Sequence, residues 1–302
     1  MGKLNVLKHF INQSKLLTFI YKKVKYIGIK YFYNYTLTKK FKDACGYELN
    51  LAEPKGFCEK IQWIKVNCHE KLMTICADKY MVRKFVTDKI GNKYLTKVYG
   101  VYSDANEIDF EKLPQRFVLK SNHASGQIII VEDKEKINKA KIIKICNSWL
   151  KENYYYITGE WVYKDIQPKI LCEELLGSNM IDYKFYCFNG KSEFLYVSKG
   201  FAYGHDSTYM NFLNLNWEKT PFQRNDYNSF NIIPPKPKYF REMINISERL
   251  AGNFNFARID LYYIENRGII FSEITFYPSG GFAPFYPLKY EYEIGNLLNI
   301  KL

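Results

Sequence analysis

The chain has 302 residues, 47% hydrophobic and 18% aromatic, which is enough apolar material for a sizeable core and excludes wholesale disorder. Its 44 Lys and Arg against 31 Asp and Glu leave a formal charge of +13. That excess points to an anionic partner (nucleotide, phosphate, acidic glycan, nucleic acid or acidic membrane surface) without choosing among them. Seven cysteines, an odd number with no CxxC pair, speak against a disulfide framework or a structural zinc site and predict reduced thiols. His9, His69, His123 and His205 form no HxxxH or HExxH pattern. No apolar run reaches the ~18 residues of a membrane span. The start, MGKLNVLKHF, lacks the apolar region and cleavage site of a signal peptide, so the expected location is cytoplasmic.

Residues 1–50 hold ten lysines and only two acids, Asp43 and Glu48, so most of the net charge sits in this arm. Leu4, Leu7, Ile11, Leu16, Phe19, Ile20, Val24, Ile27 and Phe32 recur at roughly helical spacing between the lysines. Two readings stay open: a basic amphipathic helix on an anionic polymer or an anionic membrane surface, at the inner face of the cell membrane, or a helical extension packed on its own body or a second copy. Residues 57–88 read as two helices, and YLTKVYGVY as a strand. Strands are predicted at 116–121, 128–133, 169–176, 182–190 and 192–198, with a helix at about 135–151. A Pro-containing loop of about 35 residues follows. A helix at about 237–252 then precedes the hairpin FARIDLYYIENRGIIFSEITF. Without a regular βαβ rhythm the class is α+β with largely antiparallel sheets.

That hairpin is the most informative segment. A turn centred on Asn266–Arg267 sets Asp260 opposite Glu273 and Arg258 opposite Thr275, all on one face, with Ile259, Leu261, Ile274 and Phe276 on the other. Two opposed carboxylates repel, and a cation between them relieves the repulsion. Hard oxygen ligands without His or Cys suit Mg²⁺ or Mn²⁺ shared with phosphates, and Arg258 is placed to hold a phosphoryl oxygen. The plainer alternative is a solvated face in which Arg258 and Arg267 pair with the acids. In FVLKSNHASGQIII, Lys120 ends a strand before a loop with Ser125 and Gly126, whose backbone N–H groups could cradle phosphates, or which is an ordinary turn. It is not a Walker A motif, because no GK[ST] is present. KILCEELLG ends a strand in Glu173 and Glu174; these or Asp182 could take an adenine amino group or ribose hydroxyls, or be exposed strand-end acids.

Together, FCEKIQWIK (57–65), ADKYMVRKFV (77–86), FVLKSNHASG (117–126), NYYYITGEWVYKDIQPKILCEE (153–174), DYKFYCFNGK (182–191) and RIDLY…SEITFYPSGG (258–281) resemble the TupA-like ATP-grasp family of bacterial surface-polysaccharide clusters. The resemblance runs from about residue 50 to 302, and residues 1–45 fall outside it. It implies an ATP-grasp fold in which two α+β subdomains clasp ATP, with a helical N-terminal extension. The corresponding division is an extension at 1–50, a helical linker domain at 51–113, and subdomains at 114–172 and 173–302. It implies that Lys120 contacts phosphates, that Ser125 and Gly126 belong to the phosphate loop, and that Glu173, Glu174 and Leu175 form the adenine hinge. Asp182 or Lys184 would face ribose or phosphates, Asp260 and Glu273 would hold Mg²⁺, and Arg258 would steady the transferred phosphoryl group. Thr275 stands where ATP-grasp enzymes often have Asn, which puts a third metal ligand in doubt; Asn214 and Asn216 before Trp217 also depart from the family's acidic pattern.

The activity so implied is ATP-dependent carboxylate–amine ligation, with a uronic acid such as glucuronic acid as carboxylate and a small amino alcohol, its phosphate or an amino acid as amine. A sugar-nucleotide glycosyltransferase, an ATP-dependent sugar or lipid kinase, and a non-catalytic binding module are the rivals. Nucleic acid is disfavoured, because the aromatics spread through strands and the basic excess lies in one arm. His123, His205, Trp161, Tyr163, Ser279 and Gly280 are the residues expected to touch the acceptor.

Overall fold

The computed structural model describes residues 15–177, 180–200 and 208–301. Two helices, α1 (Lys15–Tyr31) and α2 (Tyr33–Cys45), come first among the described residues. Three more follow: α3 (Phe57–Asn67), α4 (Lys71–Ala77) and α5 (Val82–Ile90). The 57–88 segment thus folds as three helices where two were expected. No Gly or Pro marks the break before α5. It is made by the Asp78 carboxylate, which accepts from the N–H groups of Tyr80 (2.8 Å) and Met81 (3.2 Å).

A four-stranded antiparallel sheet holds β1 (Val98–Tyr102), β2 (Phe117–Ser121), β3 (Ile128–Val131) and β4 (Ile170–Glu174) in the order β1-β4-β2-β3. The helix α6 (Lys139–Leu150) covers it, its N-terminus capped by Asn138, and a small core forms around Phe117, Leu119, Ile142 and Cys146. This sheet departs from the expected division. β1 lies before the 113/114 boundary yet is hydrogen-bonded to β4, and the 172/173 boundary cuts β4 itself.

The short helix α7 (Tyr155–Thr158) leads to a second antiparallel sheet with strands β5 (Asp182–Phe188), β6 (Lys191–Lys199), β7 (Tyr209–Asn214), β8 (Phe256–Ile264) and β9 (Gly268–Thr275), ordered β7-β6-β5-β8-β9. β7 lies inside what the sequence predicts as a long loop. The helix α8 (Phe240–Ala251) buries Phe240, Met243, Ile246 and Leu250 at helical spacing against this sheet. On the opposite face, alternation puts Tyr186, Phe188, Phe194, Phe212 and Phe256 at one end, where Phe57 and Phe285 complete an aromatic box with ring centroids 4.8–6.1 Å apart. The other end of the same face carries Lys184, Arg258, Asp260 and Glu273.

The final helix, α9 (Lys289–Leu297), crosses the start of α3. Glu291 is buried there and accepts from the backbone N–H of Cys58 and of Phe285 (3.1 Å) and from the Tyr47 hydroxyl (3.2 Å). Burial pushes its carboxyl up to about 7 against those donors, from an ordinary 4.5. The folded chain therefore binds this proton more tightly than the unfolded chain. The contribution is complete below about pH 4.5 and is lost as pH rises through 7, a fall of about 3 kcal/mol. Urea midpoints for Glu291→Gln should lack that downward slope, whereas the wild-type chain should show it.

Candidate active site

The two sheets face each other across a cleft of about 710 Å³. Its floor is the charged end of the β8–β9 hairpin. The turn there is a three-residue loop, Glu265–Arg267, closed by Gly268 at φ 87°, and pairing starts at Ile264 with Gly268. The two-residue turn expected from the sequence is therefore off by one. A bulge at Ser272 restores the phase, so Asp260 pairs with Glu273 and Arg258 with Thr275.

Asp260 is completely buried. Arg258 donates to both its oxygens, Nε to Oδ1 and Nη2 to Oδ2, each at 2.7 Å, and Lys184 Nζ reaches Oδ2 at 2.7 Å. Asp182 lies 3.5 Å from Lys184 Nζ, and burial raises its pKa. Glu273 is the more open acid, its side chain 32% exposed on the cleft wall. Burial works against its charge, but Lys79, Lys184 and Arg258 hold its carboxyl down at about 2, so it is ionised at every ordinary pH. Thr275 Oγ1 accepts from Arg258 Nη2 at 3.0 Å and sits 3.4 Å from Glu273 Oε1.

Two carboxylates and a hydroxyl on one wall are the hard oxygen set that suits Mg²⁺ or Mn²⁺. Glu273 fits that role as it stands. Asp260 has both oxygens in contact with cations, Oδ1 with Arg258 alone and Oδ2 with Arg258 and Lys184. Among the described residues no group of three or more His, Cys, Asp or Glu is placed to hold a metal.

The facing sheet brings the loop between β2 and β3. Ser121 N–H closes it onto Gln127 O at 3.1 Å, and Gly126 takes φ 75° with open space beside it. Ser125, Gly126 and Lys120 line the cleft. Lys79, which sequence reasoning missed, props this loop from below: its Nζ donates to Ala124 O at 2.8 Å and lies 3.8 Å from Glu273 Oε2. Lys79 thus joins the loop to the acidic floor.

At the hinge, Glu173 is paired with Lys120 (2.6 Å) and Arg83 (3.4 Å), and Glu174 with Arg267, whose Nη1 lies 2.6 Å from Oε2. Both carboxylates are thus paired with cations, and both residues line the cleft. Leu175 lines the cleft beside Phe271, Val118 and Ile130, an apolar end suited to a flat ring.

Of the residues expected at the acceptor, Tyr163, Ser279 and Gly280 line the cleft. Ser279 and Gly280 adopt φ 51° and 64°, and Ser279 Oγ accepts from the half-buried Arg224. His123 does not line it: it is buried, with Nδ1 3.1 Å from Asn122 Oδ1 and Nε2 3.2 Å from Trp149 O, which makes it a structural histidine. Trp161 also points elsewhere, stacked on His69 with centroids 4.5 Å apart. His205 lies outside the described residues. Arg224, Lys40 and Glu160 line the same end of the cleft and were not foreseen, because nothing local in their sequence surroundings marks them.

Two sheets gripping such a cleft, with a basic loop above and opposed acids below, form an ATP-grasp fold. A model of the TupA-like ATPgrasp family matches residues 59–299, and the chain belongs to that family. Solved structures overlap more loosely. D-alanine–D-alanine ligase from Bacillus anthracis, complexed with ATP, is 14% identical over 67% of this chain and 53% of its own, with a TM-score of 0.38. The Helicobacter pylori D-alanine–D-alanine ligase is 14% identical over 75% and 62%, TM-score 0.43. The ADP complex of N5-carboxyaminoimidazole ribonucleotide synthetase is 8% identical over 72% and 50%, TM-score 0.42. The chain spans a little over half the length of the first of these, and the family assignment rests on the 59–299 match alone. No curated protein matches the chain.

Proposed function

We propose that this chain is an ATP- and Mg²⁺-dependent carboxylate–amine ligase that amidates a uronic acid, such as glucuronic acid, of a capsular or surface polysaccharide with a small amine. The observation that carries the reading is the opposed Asp260–Glu273 pair, Glu273 on the cleft wall and Asp260 buried behind it, with Lys79, Lys184 and Arg258 against the pair and Lys120 also lining the cleft. Such a ring of cations suits a triphosphate, and the apolar end by Leu175 and Phe271 suits a base. A bound Mg²⁺ would neutralise phosphate oxygens as charge develops. Lys120 and Arg258 are the chain's own groups for the transferred phosphoryl, and Ser279, Gly280 and Arg224 are those for the acceptor.

In the reaction, a carboxylate oxygen attacks the γ-phosphorus and the bond to ADP breaks, leaving an acyl phosphate. The amine then attacks the acyl carbon, loses its proton, and phosphate departs with one former carboxylate oxygen. The acidic-sugar acceptor is supported by the basic composition and the cations at the acceptor end of the cleft. ATP, Mg²⁺, acidic sugars and an amine panel should give ADP together with a mass-shifted amide, and ¹⁸O from the labelled carboxylate should appear in phosphate. UDP or GDP release without ATP would mark a glycosyltransferase, and a phosphorylated product stable to hydroxylamine would mark a kinase.

A further inference from the structure

The arm outside the matched family region has two unlike faces. Its inner face packs on the body: Lys22 pairs with Glu152, and the Tyr26 ring lies 4.6 Å from that of Tyr156. The outer face carries Ile20, Val24, Ile27 and Tyr31, spaced 4, 3 and 4 residues apart and 47–64% exposed. One side of a helix is thereby left apolar and open to solvent. Phe32 and Tyr35, 60% and 69% exposed, extend this patch around the turn into α2. Lys23 and Lys30 are exposed beside the stripe, and α1 holds no acidic residue at all. A second copy pairing through this stripe would bring like charges together with no acid on the helix to offset them. Anionic headgroups over a hydrocarbon layer match both halves of the pattern.

A second observation ties this face to the site. An apolar groove of about 170 Å³ lies under α1, lined by Val24, Ile29, Leu37, Ile157 and Phe282. Lys40 and Thr158 line both this groove and the cleft, so the groove opens onto the acceptor end. We propose that the outer face of α1 and its turn into α2 dock this protein on an anionic lipid bilayer, which sets the Lys40 end of the cleft against the membrane.

The test is flotation of the full chain with vesicles of phosphatidylglycerol and phosphatidylcholine, against pure phosphatidylcholine. Binding to the anionic vesicles is expected, weakened by salt. The combined Ile20→Glu, Val24→Glu and Ile27→Glu variant should reduce partitioning at least ~10-fold, since each substitution removes apolar burial and adds like-charge repulsion. A thermal melt followed by circular dichroism should be unchanged in that variant, which separates lost docking from lost folding. It also keeps the docking result independent of the ligase reading. Equal binding to neutral vesicles, no binding to anionic ones, or binding indifferent to these substitutions overturns the proposal. So does a concentration-dependent dimer that the same substitutions abolish without any vesicle binding, and so does equal, substitution-insensitive binding to soluble polyglutamate.

Discussion

Glu273→Gln should lower ATP-dependent ADP release by about 10²–10³-fold while leaving the fold intact. The amide keeps the shape of the side chain and removes the charge, and losing one preorganised electrostatic partner of a phosphoryl transfer is worth about 3–4 kcal/mol in the barrier. The carboxylate in question is held ionised, with a pKa of about 2, by Lys79, Lys184 and Arg258 and stands open on the cleft wall. Its partial exposure predicts only a small change in melting temperature. Steady-state ADP release, read beside a thermal melt, checks both halves. Unaltered turnover would remove Glu273 from the chemistry and with it the ligase reading.

Asp260→Ala should instead be felt mainly as lost stability, by about 3–5 kcal/mol, because removing one partner of a buried ion cluster strands the others. Two buried cations lose their nearest carboxylate here, Arg258 keeping only Glu273 at 3.4 Å and Lys184 only Asp182 at 3.5 Å. Arg258 and Lys184 are both buried, and each has its closest carboxylate contact in Asp260, at 2.7 Å. Combining Asp260→Ala with Lys184→Met should recover part of the loss, since the double variant removes one buried cation that has lost its nearest carboxylate. Urea unfolding of the two single variants and the double variant gives the coupling. Simple additivity would mean that the pair does not act as a unit.

Much of the architecture was legible because it is written locally. RFVLKS and DYKFYCFNG carry their strands in branched and aromatic content, and α8 shows its stripe at 240, 243, 246 and 250. β7 was not legible, since Asn211 and Asn214 break up MNFLN and prolines follow closely. Gly295 and the short length of α9 hid that helix in the same way. The site divides along the same line. Alternation alone put Arg258, Asp260, Glu273 and Thr275 on one face. Lys79, Arg83 and Arg224 reach their partners across 194, 90 and 55 positions of chain, and nothing near them in sequence announces it. The commitment of Glu173 and Glu174 to cations is likewise a tertiary fact. So is the withdrawal of His123 into a structural role.

The bulge at Ser272 has a consequence for how this hairpin tolerates change in length. Between the loop and Leu261 the partners run in one phase, and from Asp260 to Arg258 they run in the next. Deleting that single serine would merge the two phases into one and leave Glu273 opposite Asp260, at the cost only of the bulge and the local bend that goes with it. An added residue at that point would do the opposite, carrying Glu273 one step past Asp260 and parting the acids without removing either one.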